Sequence, residues 1–131
     1  MISITEPENK PPKIKGKLNG SPFFLGVLSL VYTDEDDIKE SSFYGRGHLL
    51  ITDDQAYEVC SFACRFKDKA KCIVSQCDGG ISRSSATAAA LSDILNGPRS
   101  SKWIFDSPAY VPNMYVYRKI FNTWQQHFAN K

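Results

Sequence analysis

Short apolar runs alternate along the chain with longer stretches of helical period. "ISI" at 2–4 predicts a short strand, stopped by "EPENKPP", where three prolines forbid regular structure. "FFLGVLSLVY" at 23–32 is apolar enough for a buried strand and ends in the acidic run "TDEDD". Residues 38–51, with Gly45 and Gly47, read as a loop. "TDDQ" at 52–55 predicts a capping box, with Thr52 capping and Gln55 reaching back from the third helical position. Val59, Phe62, Ala63 and Phe66 then fall at i, i+3, i+4 and i+7, one face of an amphipathic helix. "KCIVSQ" at 71–76 has the length of a strand. "SSATAAALSDILN" at 84–96 is a strong helix former ended by Gly97 and Pro98. An aromatic and proline-rich loop is expected over 98–112. A last helix starts at about Asn113 and shows Tyr117, Ile120, Phe121, Trp124 and Phe128 on one face.

Strands alternating with helices predict an α/β fold, a central and largely parallel sheet flanked by helices. A chain of 131 residues suits a single domain, 1–131, with a core of its own. The formal net charge of +2 makes no case for nucleic acid or an anionic membrane as partner. No stretch has the length of a membrane span, and "MISITEPENKPP" lacks the regions of a signal peptide. The four cysteines, Cys60, Cys64, Cys72 and Cys77, follow no usual zinc spacing, so no metal is expected. Reduced thiols in a cytoplasmic protein are the expectation, with Cys60, Cys64 and Cys72 read as buried core and Cys72 as a strand residue.

Cys77 stands apart from that reading. From it the chain runs Cys-Asp-Gly-Gly-Ile-Ser-Arg-Ser, between a strand and the amino end of a helix. Such a terminus offers unpaired N–H groups and the positive end of the dipole, and so holds anions. Gly79 and Gly80 let the backbone curl until successive N–H groups point inward. Arg83 can fork onto two oxygens of a tetrahedral oxyanion. The same field stabilises a thiolate, which makes Cys77 a nucleophile with a lowered pKa. A thiolate at the base of a phosphate cradle is suited to attack on phosphorus.

"CDGGISRS" resembles the C-x2-G-x2-R-[ST] loop of cysteine-dependent protein tyrosine and dual-specificity phosphatases. "ISITEPENKPP", "VLSLVYTDEDD", "ITDDQAYEVCSF" and "PNMYVYRKIF" are similar, in order, to segments of small phosphatase-like proteins of bacteria and phages. The resemblance implies a phosphatase (CX5R) type of α/β fold and phosphomonoester hydrolysis through a phosphocysteine, with no cofactor. It implies Cys77 as nucleophile, Arg83 as phosphate ligand, and Ser84 as hydrogen-bond donor to the departing thiolate. The N–H groups of Asp78, Gly79, Gly80, Ile81, Ser82 and Arg83 are expected to line the cradle. The substrates implied are phosphorylated proteins or small phosphomonoesters. Two departures stand out: Gln76 occupies the place of the usual His, and the sequence opens almost on its first strand, short of the amino-terminal elements of larger members.

The reaction also needs a proton donor for the leaving oxygen. Family members carry it as an Asp after an earlier strand, a position matched by Asp34, with Asp36 and Asp37 as alternatives. Asp53 and Asp54 are better explained as first-turn helix residues. Trp103, Phe105 and Tyr110 are expected either to rim the pocket or to cover the sheet edge. His48 is read as a loop residue and His127 as a helix-surface one. The chief alternative is a phosphate-binding or phosphopeptide-binding module that keeps the cradle without turnover. Sulfur or arsenate chemistry on a similar loop is a further one.

Overall fold

The computed structural model describes residues 1–5, 26, 28–32, 50–70, 72–77 and 81–129. Three parallel strands form one sheet: β1 (Ile2–Thr5), β2 (Leu28–Val31) and β3 (Ser75–Cys77), in the order β2-β1-β3. Four helices accompany it: α1 (Asp53–Phe66), α2 (Arg83–Asn96), α3 (Lys102–Asp106) and α4 (Met114–His127). This is the α/β architecture that the alternation of runs predicts, with parallel strands and flanking helices. Among the described residues, no helix is long and apolar enough to cross a membrane.

β1 is the central strand. Ile2 pairs in register with Leu28 on one side and Ser75 on the other, and Ile4 with Leu30 and Cys77. Ile2 and Ile4 are fully buried, and Ser3 between them nearly so, as a strand covered on both sides requires. β2 behaves differently. Leu30 and Tyr32 are buried while Ser29 and Val31 are exposed, so it alternates faces instead of being buried throughout as its apolar run suggests.

α1 begins as expected: the Thr52 hydroxyl accepts from the Gln55 N–H over 3.1 Å, and Gln55 Oε1 accepts from the Thr52 N–H over 2.9 Å. Gln55 Nε2 also donates to the Val31 carbonyl, which docks the helix start on β2. The buried seam of α1 is Ala56, Val59, Cys60 and Ala63, with Phe62 and Phe66 half-buried beside it. α2 packs on β3 and β1, and its Ala86 and Ala90 share one buried core with Ile2 and Ile4 of β1. It ends at Gly97, whose φ of 105° lies in the region that favours glycine. α4 lies against both α1 and α2. Its buried seam is Val116, Ile120 and Thr123; Tyr117, Phe121, Trp124 and Phe128 are only half-buried alongside. Lys119 pairs with Asp53 at 2.7 Å and ties α4 to the start of α1.

Several expectations need correction. The strand placed at 71–76 is Ser75–Cys77, so Cys72 precedes it and is exposed. Cys64 is exposed as well, because one turn beyond Cys60 it has rotated off the seam centred on Val59 and Ala63. Of the three cysteines expected in the core only Cys60 is buried, and burial pushes its thiol up to about 12. The segment 98–112 is not all loop: Lys102–Asp106 forms α3, with Ile104 buried. The Gly45–Gly47 loop and His48 lie outside the described residues.

Candidate active site

β3 and α2 bring the candidate residues together. Strand geometry puts Ser75 and Cys77 on one face, towards α2. The Ser75 hydroxyl donates to the Ser84 carbonyl over 2.7 Å, clamping the strand to the first turn of the helix. Two positions on, the Cys77 thiol donates to Ser84 Oγ over 3.3 Å, and the Ser84 N–H donates to Cys77 Sγ over 3.4 Å. One residue thus meets the sulfur with both backbone and hydroxyl. If the thiol ionises, the hydroxyl bond can reverse, leaving N–H and O–H both aimed at a thiolate.

α2 itself favours a negative charge there. Its first turn holds no acidic residue, and Ser82 at its N-cap makes no side-chain cap bond. The positive end of the helix is therefore not neutralised by the helix's own side chains. The other polar side chains of this turn are satisfied internally: Ser85 Oγ donates to the Ile81 and Ser82 carbonyls, and Thr87 Oγ1 to the Arg83 carbonyl.

Arg83 is buried, only 4% exposed, and its Nη1 donates over 2.9 Å to the Tyr32 carbonyl just beyond β2. Its charge is thus held at the carboxyl ends of the strands, the edge where open parallel sheets receive ligands. In the order β2-β1-β3 the chain adds β2 on one side of β1 and then β3 on the other, so the switch in strand order falls between β1 and β3, and Cys77 ends β3 at that point. Gln76, on the opposite face from Cys77, donates to Ser3 Oγ over 3.2 Å. Its amide is engaged with β1 rather than with the sulfur.

Two features flank the site. The Trp103 and Tyr110 rings meet edge to face at 6.5 Å and rim a cavity of about 190 Å³ that Ser75, Gln76, Ser84 and Ser85 also line. Phe105 instead stacks edge-on to Tyr117 at 5.8 Å, facing another cavity. Further along α2, Asp93 accepts from Tyr117 Oη at 2.6 Å and from the Ser101 N–H and hydroxyl at 3.0 and 2.8 Å. Burial would raise its pKa, but these bonds and one from Ser100 outweigh it and hold the carboxyl low. This carboxylate joins α2, α3 and α4 and is occupied in doing so.

Ser84 and Cys77 are in contact, while Arg83, one residue before Ser84, sends its guanidinium to the Tyr32 carbonyl. Asp78, Gly79 and Gly80 of the loop, and Asp34, Asp36 and Asp37, lie outside the described residues. Asp53 and Asp54 stand in the first turn of α1. Spacing did not point to Tyr32 as the acceptor for Arg83. Nor did it reveal that the Val111 and Asn113 N–H groups donate to the Ile81 and Ser82 carbonyls over 3.1 and 3.2 Å. For Asn113 a signal existed, since Asn ahead of a helical run is a cap, and its Oδ1 accepts from the Tyr115 and Val116 N–H groups. Among the described residues, no three His, Cys, Asp or Glu side chains stand close enough to hold a metal ion. Comparison with protein-family models, with curated proteins and with solved structures returns no match for this chain.

Proposed function

We propose that the protein is a cysteine-dependent phosphatase of the tyrosine or dual-specificity type, hydrolysing phosphomonoesters of proteins through a phosphocysteine. The observation that carries this reading is the Cys77 sulfur within reach of both the N–H and the hydroxyl of Ser84, at a helix start free of acidic residues. The buried Arg83 next to it in the chain supplies the positive charge that a phosphoryl group needs. In the first step the Cys77 thiolate attacks phosphorus, forming S–P as the P–O bond to the leaving group breaks. A carboxylic acid, assigned to Asp34 with Asp36 and Asp37 as alternatives, gives the leaving oxygen its proton. In the second step water attacks the phosphocysteine, losing a proton to the same carboxylate, while the S–P electrons return to sulfur. The Ser84 O–H stabilises that returning thiolate. Charge is met throughout by Arg83 and backbone N–H groups, and the scheme uses no cofactor.

The test is turnover of p-nitrophenyl phosphate by reduced protein in the presence of a chelator. Hydrolysis is expected, with inhibition by vanadate. Cys77→Ser should lower kcat by at least about 10³-fold, since the remaining hydroxyl is a poor nucleophile at neutral pH. Vanadate binding should survive that change. Arg83→Lys should lose both binding and rate, because a point charge cannot replace the planar fork. Near wild-type turnover by Cys77→Ser would end the phosphocysteine reading. Vanadate or phosphopeptide binding without any turnover would leave the binding module instead.

A further inference from the structure

The stretch before α4 reaches back to the loop that follows β3. Val111 is 68% exposed, yet its N–H donates to the Ile81 carbonyl, and two residues on the Asn113 N–H donates to the Ser82 carbonyl. Alternate residues of an extended segment present their N–H groups to the same side. Asn113 is extended, at φ −70° and ψ 110°. Pro112 between them has no N–H to leave unmatched. The segment therefore holds two consecutive peptide carbonyls of the loop with two donors at the right spacing.

Those carbonyls are one half of two rigid units. In a trans peptide the C=O and the following N–H point in opposite directions, and no cis bond occurs among the described residues. Together with Ser85 Oγ on both carbonyls and the Ala86 N–H on that of Ser82, these two donors fix the Ile81 and Ser82 peptides with the Ser82 and Arg83 N–H groups facing away from 111–113. Within the first turn of a helix successive N–H groups run nearly parallel, so that of Arg83 runs alongside that of Ser84. The Ser84 N–H is the one that reaches Cys77 Sγ. Asn113 fixes the splint in turn: it is buried, and its Oδ1 accepts from the Tyr115 and Val116 N–H groups at 3.0 and 3.2 Å.

We infer that Asn113 is a positioning residue, which through the backbone of 111–113 aims the N–H groups at the start of α2 and so sets the reactivity of Cys77 and the grip on an oxyanion. The inference rests on reading 77–84 as an oxyanion cradle, but its principal readout does not need turnover. The rate of Cys77 alkylation by iodoacetamide is followed against pH, by mass spectrometry of the peptide that carries it. Vanadate protection is measured in the same assay. Asn113→Ala should slow alkylation at neutral pH by about tenfold, as the midpoint climbs towards that of a free thiol, and should weaken protection about as much. Asn113→Ser, a neutral cap that keeps an acceptor, should restore both. Val111→Pro removes the donor to Ile81 at an exposed position and should slow alkylation in the same direction without touching the α4 cap. The inference is overturned if folded Val111→Pro alkylates with the wild-type pH profile and vanadate protection, whatever Asn113→Ala does. Loss of p-nitrophenyl phosphate turnover in the wild type would instead count against the phosphatase reading alone, since the alkylation profile still reports on the splint.

Discussion

The two long helices next to the sheet, α1 and α2, start in opposite ways. At α1 the exposed N–H groups are closed by the Thr52–Gln55 box, and Asp53 and Asp54 sit in the first turn against the positive end of the dipole. Every feature there stabilises a helix, and Lys119 takes one of the carboxylates to α4. At α2 the first turn carries no carboxylate and Ser82 makes no side-chain cap bond; the Ser84 N–H goes instead to the sulfur of Cys77. A start of that kind forgoes a cap worth about 1 kcal/mol. In return it presents a sulfur to donors that favour its ionised form. The difference separates a helix end closed by its own side chains from one whose donors meet a cysteine sulfur.

The comparison can be broken most sharply at its carboxylates. If Asp34 is the general acid serving the α2 site, Asp34→Asn should slow hydrolysis of aryl phosphates by about 10²–10⁴-fold. The basic limb of the pH profile of kcat/KM should flatten, while the acidic limb, which belongs to the thiol, persists. Asp53→Asn, at the α1 start, should leave turnover unchanged. A full effect from Asp36→Asn or Asp37→Asn with Asp34→Asn near wild type would move the acid along its loop.

A smaller effect sharpens the α2 side. Ser84→Ala keeps the N–H to the sulfur and removes the hydroxyl, so turnover should fall by about 10- to 10²-fold, the range of one hydrogen bond to a charged partner. Because the thiolate is the leaving group of the second step, rapid mixing should show a burst of released phenol followed by the slower rate. A uniform slowing without a burst would place the role of the hydroxyl in the first step. The smallest effect belongs to α1: Thr52→Ala should cost about 1 kcal/mol of stability in urea unfolding. The same variant should leave Cys77 alkylation untouched. Any change in alkylation would mean that the two helix starts are coupled through the sheet.

Local chemistry made much of this legible before any fold. The Thr52–Gln55 box, the stop at Gly97 and the start of the last helix at about Asn113 are decided within a few residues, and all three stand where the sequence puts them. The Cys77–Ser84 contact is the one that the resemblance of the motif implies. Burial was harder to read. The apolar run that ends at Tyr32 cannot reveal whether one face of its strand or both are covered, and Cys64 and Cys72 look like core until the helix is rotated and the strand begins at Ser75.

What the sequence determined alone is therefore the alternation of strands with the longer helices, the Thr52–Gln55 box and the stop at Gly97, and the spacing of Cys77, Arg83 and Ser84 along the chain. Each depends on neighbours a few bonds away. Only the tertiary structure decided that β1 lies between β2 and β3, that Arg83 reaches the Tyr32 carbonyl, and that residues 111–113 hold the loop carbonyls. Those are backbone hydrogen-bond partners distant in sequence. A carbonyl or an N–H is the same group in every residue that carries one, so nothing in the identity of Tyr32 or Val111 announces which partner it will meet.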